Sequence, residues 1–184
     1  NGANCSLVTA DVGGVPLNPC DHTGAYRHKE PTYTLGIDWQ IDPSKLIYVA
    51  SRKGYRSGGI NQRSNLPSQF IPYQPETVTD YEVGLKADWE LGGLGKLRTN
   101  IAAFYQDYKD IQRTQTQTVG TPPNTILITS VDNAAKARVK GVEIDATWNP
   151  IPAITLRGYY SLADAKYKQW IVPLAGGGTQ DRAA

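Results

Sequence analysis

The residues best equipped for chemistry are two histidines, a set of acidic residues, two glycine-rich runs and two cysteines. His22 and His28 lie close to Asp21 and Glu30, a donor set that suits a borderline divalent ion. They sit in a segment rich in Gly, Asn, Pro and Asp, and read as polar residues of a surface loop, so no metal is assigned. Glu82, Asp88, Glu143 and Asp145 could be paired as general acid and nucleophile, as in glycoside hydrolysis. Each has Lys86, Arg98 or Arg157 nearby, and the set reads instead as the charged wall of a sheet. A phosphate cradle needs a glycine loop between a strand and a helix. Ser57-Gly-Gly and residues 92–95 have no helix after them and read as turn-formers. No catalytic constellation remains, so the chain is expected to be no enzyme and to need no cofactor. Cys5 and Cys20 share one short segment. In an oxidising compartment they would close a loop worth about 3 kcal/mol in the chain-entropy model; the alternative is two unrelated thiols.

The elements that carry these residues follow a period of two. In residues 80–90, Tyr81, Val83, Leu85, Ala87 and Trp89 alternate with Asp80, Glu82, Gly84, Lys86, Asp88 and Glu90. A helix cannot separate these sets, because residues three apart share a helix face. The same alternation runs through residues 31–41, 96–113, 137–149 and 153–168. In residues 46–56 the faces are less distinct; Ile47, Val49 and Ser51 are expected on the apolar side, with Arg52 and Arg56 on the polar side. Six strands result, each about 11–18 residues long, against a usual 5–6 in globular sheets.

The connections alternate too. Residues 42–45, 92–95 and 150–152 are tight turns, whereas residues 57–75 and 114–135 are long connections. The layout is three hairpins with long loops at one end, as in an outer-membrane barrel with short periplasmic turns. Without bulges, Trp89 opposite Leu97 would place Asp88 against Arg98, and Trp148 opposite Ile154 would place Asp145 against Arg157. Trp39, Trp89 and Trp148 each precede a short turn on the apolar face. That is the position of an aromatic girdle at a membrane interface; the alternative is the rim of a soluble sandwich core.

Composition fits this reading. No apolar run approaches the 18–20 residues a spanning helix needs, so any crossing must use strands. Net charge is +2 with no Lys/Arg run, which gives nucleic-acid binding no support. Residues 1–5 carry no basic segment before an apolar core, and residues 176–184 read as loop; both ends are expected to be cuts in a longer chain.

Four stretches resemble the barrel of TonB-dependent receptors. They are Tyr48-Val-Ala-Ser-Arg-Lys-Gly-Tyr-Arg-Ser-Gly-Gly-Ile-Asn61, Pro75-Glu-Thr-Val-Thr-Asp-Tyr-Glu-Val-Gly-Leu-Lys86, Asn100-Ile-Ala-Ala-Phe-Tyr-Gln-Asp-Tyr-Lys-Asp-Ile-Gln112 and Asn133-Ala-Ala-Lys-Ala-Arg-Val-Lys-Gly-Val-Glu-Ile-Asp145. Each is a weak motif alone; their order and spacing make the signal, over about residues 31–168. The resemblance implies an all-β, antiparallel, up-and-down transmembrane barrel fragment in the bacterial outer membrane. It also implies import of a scarce nutrient, a ferric siderophore first among the choices, powered through TonB. The implied partners are a plug domain, the TonB complex and outer-membrane lipid. Such barrels have 22 strands, and six cannot close one. Residues 1–30 then read as an extracellular loop region, 31–168 as partial barrel and 169–184 as a truncated extracellular loop. Ligand contacts would come from Tyr55, Arg56, Gln62, Arg63, Phe70, Tyr73, Gln115 and Gln117. A small complete barrel acting as an adhesin, or a soluble β-sandwich binding module, stay open as alternatives.

Overall fold

A computed structural model describes residues 26–61, 72–121, 123–174 and 178–183. The described chain is a single antiparallel sheet. Its strands are β1 (Tyr33–Asp42), β2 (Lys45–Arg56), β3 (Glu76–Glu90), β4 (Lys96–Thr121), β5 (Asn124–Ile151), β6 (Ile154–Pro173) and the short β7 (Thr179–Asp181). They lie in sequence order, each bonded to the next, and the sheet does not close on itself.

Register explains the alternation. One row across the sheet reads Ile37, Val49, Val83, Ala103, Val142 and Leu162. The next row towards the short turns reads Trp39, Ile47, Leu85, Ile101, Ile144 and Tyr160. These apolar residues share one face, and much of that face is open: Ile37 is 75% exposed, Trp39 65% and Leu162 61%. A water-soluble protein rarely leaves so broad an apolar surface uncovered. Among the described residues the buried hydrophobes are few and mostly alanine: Ala50, Ala87, Ile111, Ile128, Ala134 and Ala135. The described residues therefore hold no sandwich core, and the apolar face needs a covering from outside.

The expected facing of β2 is observed. Ile47, Val49 and Ser51 lie in the apolar rows, and Arg52 pairs with the opposite face of β3. The first predicted hairpin register also holds: Trp89 opposes Leu97, and Arg98 grips Asp88 through Nε and Nη2 at 2.6 and 3.1 Å. The second is shifted by two residues. Trp148 opposes Leu156, so Thr147, not Asp145, faces Arg157. The hairpin closes later, with Ile151 opposite Ile154, and a one-residue bulge between Trp148 and Ile151, around Pro150, which has no N–H for a ladder, takes back one position. Asn149 occupies the gap, donating to the Ile154 carbonyl and the Thr155 hydroxyl. An even shift keeps every side chain on its expected face.

The connection over residues 114–135 differs more. It is long in sequence but built as a ladder, with Thr116 opposite Thr129, Gln117 opposite Ile128 and the turn near Thr121–Asn124. A Thr–Gln repeat has no apolar face to mark it, yet threonine favours extended backbone. The Thr116 and Thr129 hydroxyls bond across the strands at 2.9 Å. Likewise β6 runs past residue 168 to Pro173 and pairs with β7 inside the segment read as loop.

The short turns are chemically specified. Asp42 accepts from the Ser44 N–H, the Ser44 hydroxyl and Lys45. Gly92 and Gly95 take φ values of 60° and 81°, which favour glycine. Trp148 reaches across to donate to the Leu94 carbonyl in that turn.

Candidate functional site

The face opposite the apolar rows carries the charge. Along β2 it presents Tyr48, Arg52 and Arg56; along β3, Glu76, Asp80, Glu82, Lys86 and Asp88. Arg52 donates to Asp80 at 2.7 Å and Glu82 at 2.9 Å. Tyr48 donates to Glu82 at 2.6 Å, and Gln106 donates to Asp80 at 3.3 Å. The Tyr48 ring lies over Gly84, where an added Cβ would come within 2.3 Å of it, and Lys86 sits 5.5 Å from the ring centre. Three strands are thus cross-linked by one polar network. Asp80 is buried within it, which demands the partners it has.

Nearer the long loops this wall forms a concave region of about 400 Å³. Arg56, Glu76, Tyr108, Gln112, Arg113 and Tyr167 line it. The Arg113 guanidinium stands 5.3 Å from the Tyr167 ring centre. Arg56 and Arg113 beside two phenol rings can receive an anionic or aromatic guest by charge-assisted hydrogen bonds and stacking.

The rim is fixed by side chains that bond to backbone. Gln112, 8% exposed, donates to the carbonyls of Ser57 and Gln74, and its N–H meets Glu76. Asn133 accepts from the Gln74 N–H and donates to the carbonyls of Gln74 and Asp110. Asn61 pairs with both the N–H and the carbonyl of Val131. Both ends of the 57–75 connection are therefore held against β4 and β5.

Of the residues expected to contact ligand, Arg56 reaches the concave region. Tyr55 falls in the register of the apolar face, beside Ser51 and Val49. Tyr73 pairs by backbone with Gly59 at the rim. Gln115 and Gln117 lie up the hairpin, opposite Ser130 and Ile128. Gln62, Arg63 and Phe70 lie outside the described residues, as do Cys5, Cys20 and His22. His28 stacks on Tyr26 and bonds Glu30 at 3.1 Å; no metal-ligand cluster occurs among the described residues. Sequence reasoning missed Tyr108, Gln112, Arg113 and Tyr167. Alternation would have flagged Tyr108 on the polar face. It would also have flagged Tyr167, which precedes the β6 irregularity, whereas Gln112 and Arg113 follow register shifts in β4, where counting by twos fails.

Trp39, Trp89 and Trp148 all lie on the apolar face at the short-turn ends of β1, β3 and β5. The Trp89 and Trp148 indoles donate to Thr99 and the Leu94 carbonyl.

A two-faced, open, antiparallel wall of long strands leaves few families. Residues 8–182 match the family described as TonB dependent receptor-like, beta-barrel. The chain belongs to the TonB-dependent receptor family. Its fold is similar to that of the ferric yersiniabactin uptake receptor FyuA from Yersinia pestis, with a TM-score of 0.55 and 17% identity. The match covers 77% of this chain and 23% of FyuA, so the chain spans under a quarter of that receptor's length. TonB-dependent receptors are outer-membrane proteins of Gram-negative bacteria, and the family is one of receptors and transporters, not of enzymes.

Proposed function

We propose that this chain forms part of the barrel wall of an outer-membrane receptor that imports a ferric siderophore, with TonB supplying the energy. The observation that carries this reading is the division of the sheet into a broad apolar face and a networked charged face. The apolar face meets lipid, and the charged face meets the receptor's own plug domain and, above it, the ligand. Trp39, Trp89 and Trp148 form the periplasmic girdle. Residues 31–168 supply wall, and residues 1–30 and 169–184 contribute to the extracellular side. The FyuA likeness and the Arg56–Arg113–Tyr108–Tyr167 lining favour a siderophore over a neutral glycan, because catecholate and carboxylate ligands are anionic or aromatic.

The test is iron uptake by cells with and without the gene. Deletion should abolish accumulation of radioactive iron from one siderophore class, and loss of TonB should do the same. Unchanged uptake across hydroxamate, catecholate and carboxylate siderophores would sink the siderophore assignment. The girdle is checked separately: lipids brominated near the headgroup should quench the three tryptophans more than lipids brominated at the chain ends.

A further inference from the structure

The apolar face does not end everywhere in the same way. On β4, β5 and β6 its first charged residues are Asp107, Lys140 and Asp164. Each lies about ten residues from its short turn, the length a tilted strand needs to cross the hydrocarbon layer. Tyr105 sits just below, on the same face.

From that level outward the same face turns basic. Asp107, Arg138 and Lys166 form one register row. Lys140 opposes Asp164, and Lys109 follows on β4. Lys168 joins the cluster, 2.6 Å from Asp107 and 5.9 Å from the Tyr105 ring centre. Each carboxylate is shared by two lysines. Asp164 lies 3.9 Å from Lys140 and 3.6 Å from Lys166; Asp107 lies 2.6 Å from Lys168 and 3.8 Å from Lys109. Five cations against two carboxylates leave a surplus of positive charge, and the four lysines are exposed. The carboxylates hold the ammonium groups apart and in place without neutralising them. By register these side chains alternate with those of the charged wall; Arg138 and Lys166 also border the concave region, whereas Lys109, Lys140 and Lys168 do not line it.

We infer that this patch binds the phosphate-bearing headgroup of an anionic lipid in the outer leaflet, whose acyl chains lie on the Ala103–Val142–Leu162 row below. The inference rests on the reading of the apolar face as the lipid-facing side. Charge complementarity and the unbroken run from apolar rows through Tyr105 to lysines select an amphiphile. A soluble anion would use the charges and ignore the apolar rows. A basic cluster at this depth attracts anionic headgroups with a contribution worth about five-fold in affinity per lysine.

The experiment uses the intact receptor in detergent, with purified bis-phosphorylated lipid A as probe and its phosphatase-treated form as control. The phosphorylated form should bind at least ten-fold more tightly, more so at low salt. Replacing Lys109, Lys140, Lys166 and Lys168 together by glutamine should erase that preference, while the all-arginine variant should keep it. Millimolar inorganic phosphate should not displace the lipid. Equal binding of both lipid forms, a full preference in the glutamine variant or displacement by free phosphate would each overturn the inference. Insertion into phosphatidylcholine vesicles, scored by heat-modifiable gel mobility, reads the barrel assignment separately. A receptor that inserts but shows no phosphate preference loses only the lipid site.

Discussion

Two regions of this sheet are built by different rules. Below the irregularity at Tyr108–Ile111, strands pair residue against residue with apolar and polar faces kept apart. Above it, the ladder is interrupted around Asp110, which takes a φ of 54°, and resumes in the β4–β5 hairpin, while Gln112, Asn133 and Asn61 add side-chain bonds to backbone. The lower region separates two different surroundings, so every second residue is forced to match one of them. The upper region has no such division and must be specified position by position.

The sharpest way to break that comparison is a charge in the middle of the lower band. Ile101 lies midway between Leu97 and Tyr105 on the apolar face of β4. Ile101→Arg should cost about 2–4 kcal/mol in a bilayer, the range for arginine at a barrel's lipid-facing midplane. Asn100→Arg, one residue away on the charged face, should cost under about 1 kcal/mol. Denaturant unfolding of the intact receptor in lipid vesicles measures both. Equal costs would mean that the two faces meet the same medium.

The charged face gives a smaller effect. Arg52→Ala leaves Asp80 and Glu82 without their shared cation, and Asp80 is buried. The cost should be about 1–3 kcal/mol, the range for stranding buried polar groups. Arg52→Lys should recover only part, because one ammonium replaces a planar fork. Lower still is the rim. Asn133→Ala removes bonds to Gln74 and Asp110, and should cost about 1 kcal/mol. Hydrogen exchange should show faster opening near residues 72–75 and none in β1 or β6. Spread of the effect into the lower band would contradict the division between the regions.

How much was legible in the sequence divides along the same line. Tyr81 to Trp89 alternate without interruption, and both the strand and its register with Leu97 followed from that. Arg98 against Asp88 followed as well. The second hairpin lies two residues from the expected register because its turn closes at Ile151 opposite Ile154 with a bulge near Pro150, and neither leaves a periodic trace. The strand pairing of Thr116 with Thr129 is not legible, because neither neighbouring face is apolar. The concave region is only partly legible: Arg113 follows the irregularity around Asp110 and cannot be placed on a face by counting, whereas Tyr167 ends an unbroken alternation on the polar face. Arg56, just before any irregularity, was placed correctly.

The smallest expected effect lies where the chain enters the sheet. Glu30 precedes β1 and binds both Lys53 and His28. The hydrogen bond from Lys53, helped by that from His28, holds its carboxyl below the usual glutamate range. A carboxylate with a depressed folded value stabilises above its unfolded pKa, and that stabilisation is lost as pH falls through the folded value. The tether of residues 28–30 to β2 should therefore be intact at neutral pH and loosen only below about pH 4. The pair is only part-buried, so salt should weaken it too. Glu30→Gln should remove the pH dependence and leave the lower band unchanged, read by proteolysis near Lys29 at pH 7 and pH 3. If the wild type is cut equally fast at both values, the Lys53 contact does not hold the entry segment. Order there would then come from Tyr26 stacking on His28 alone.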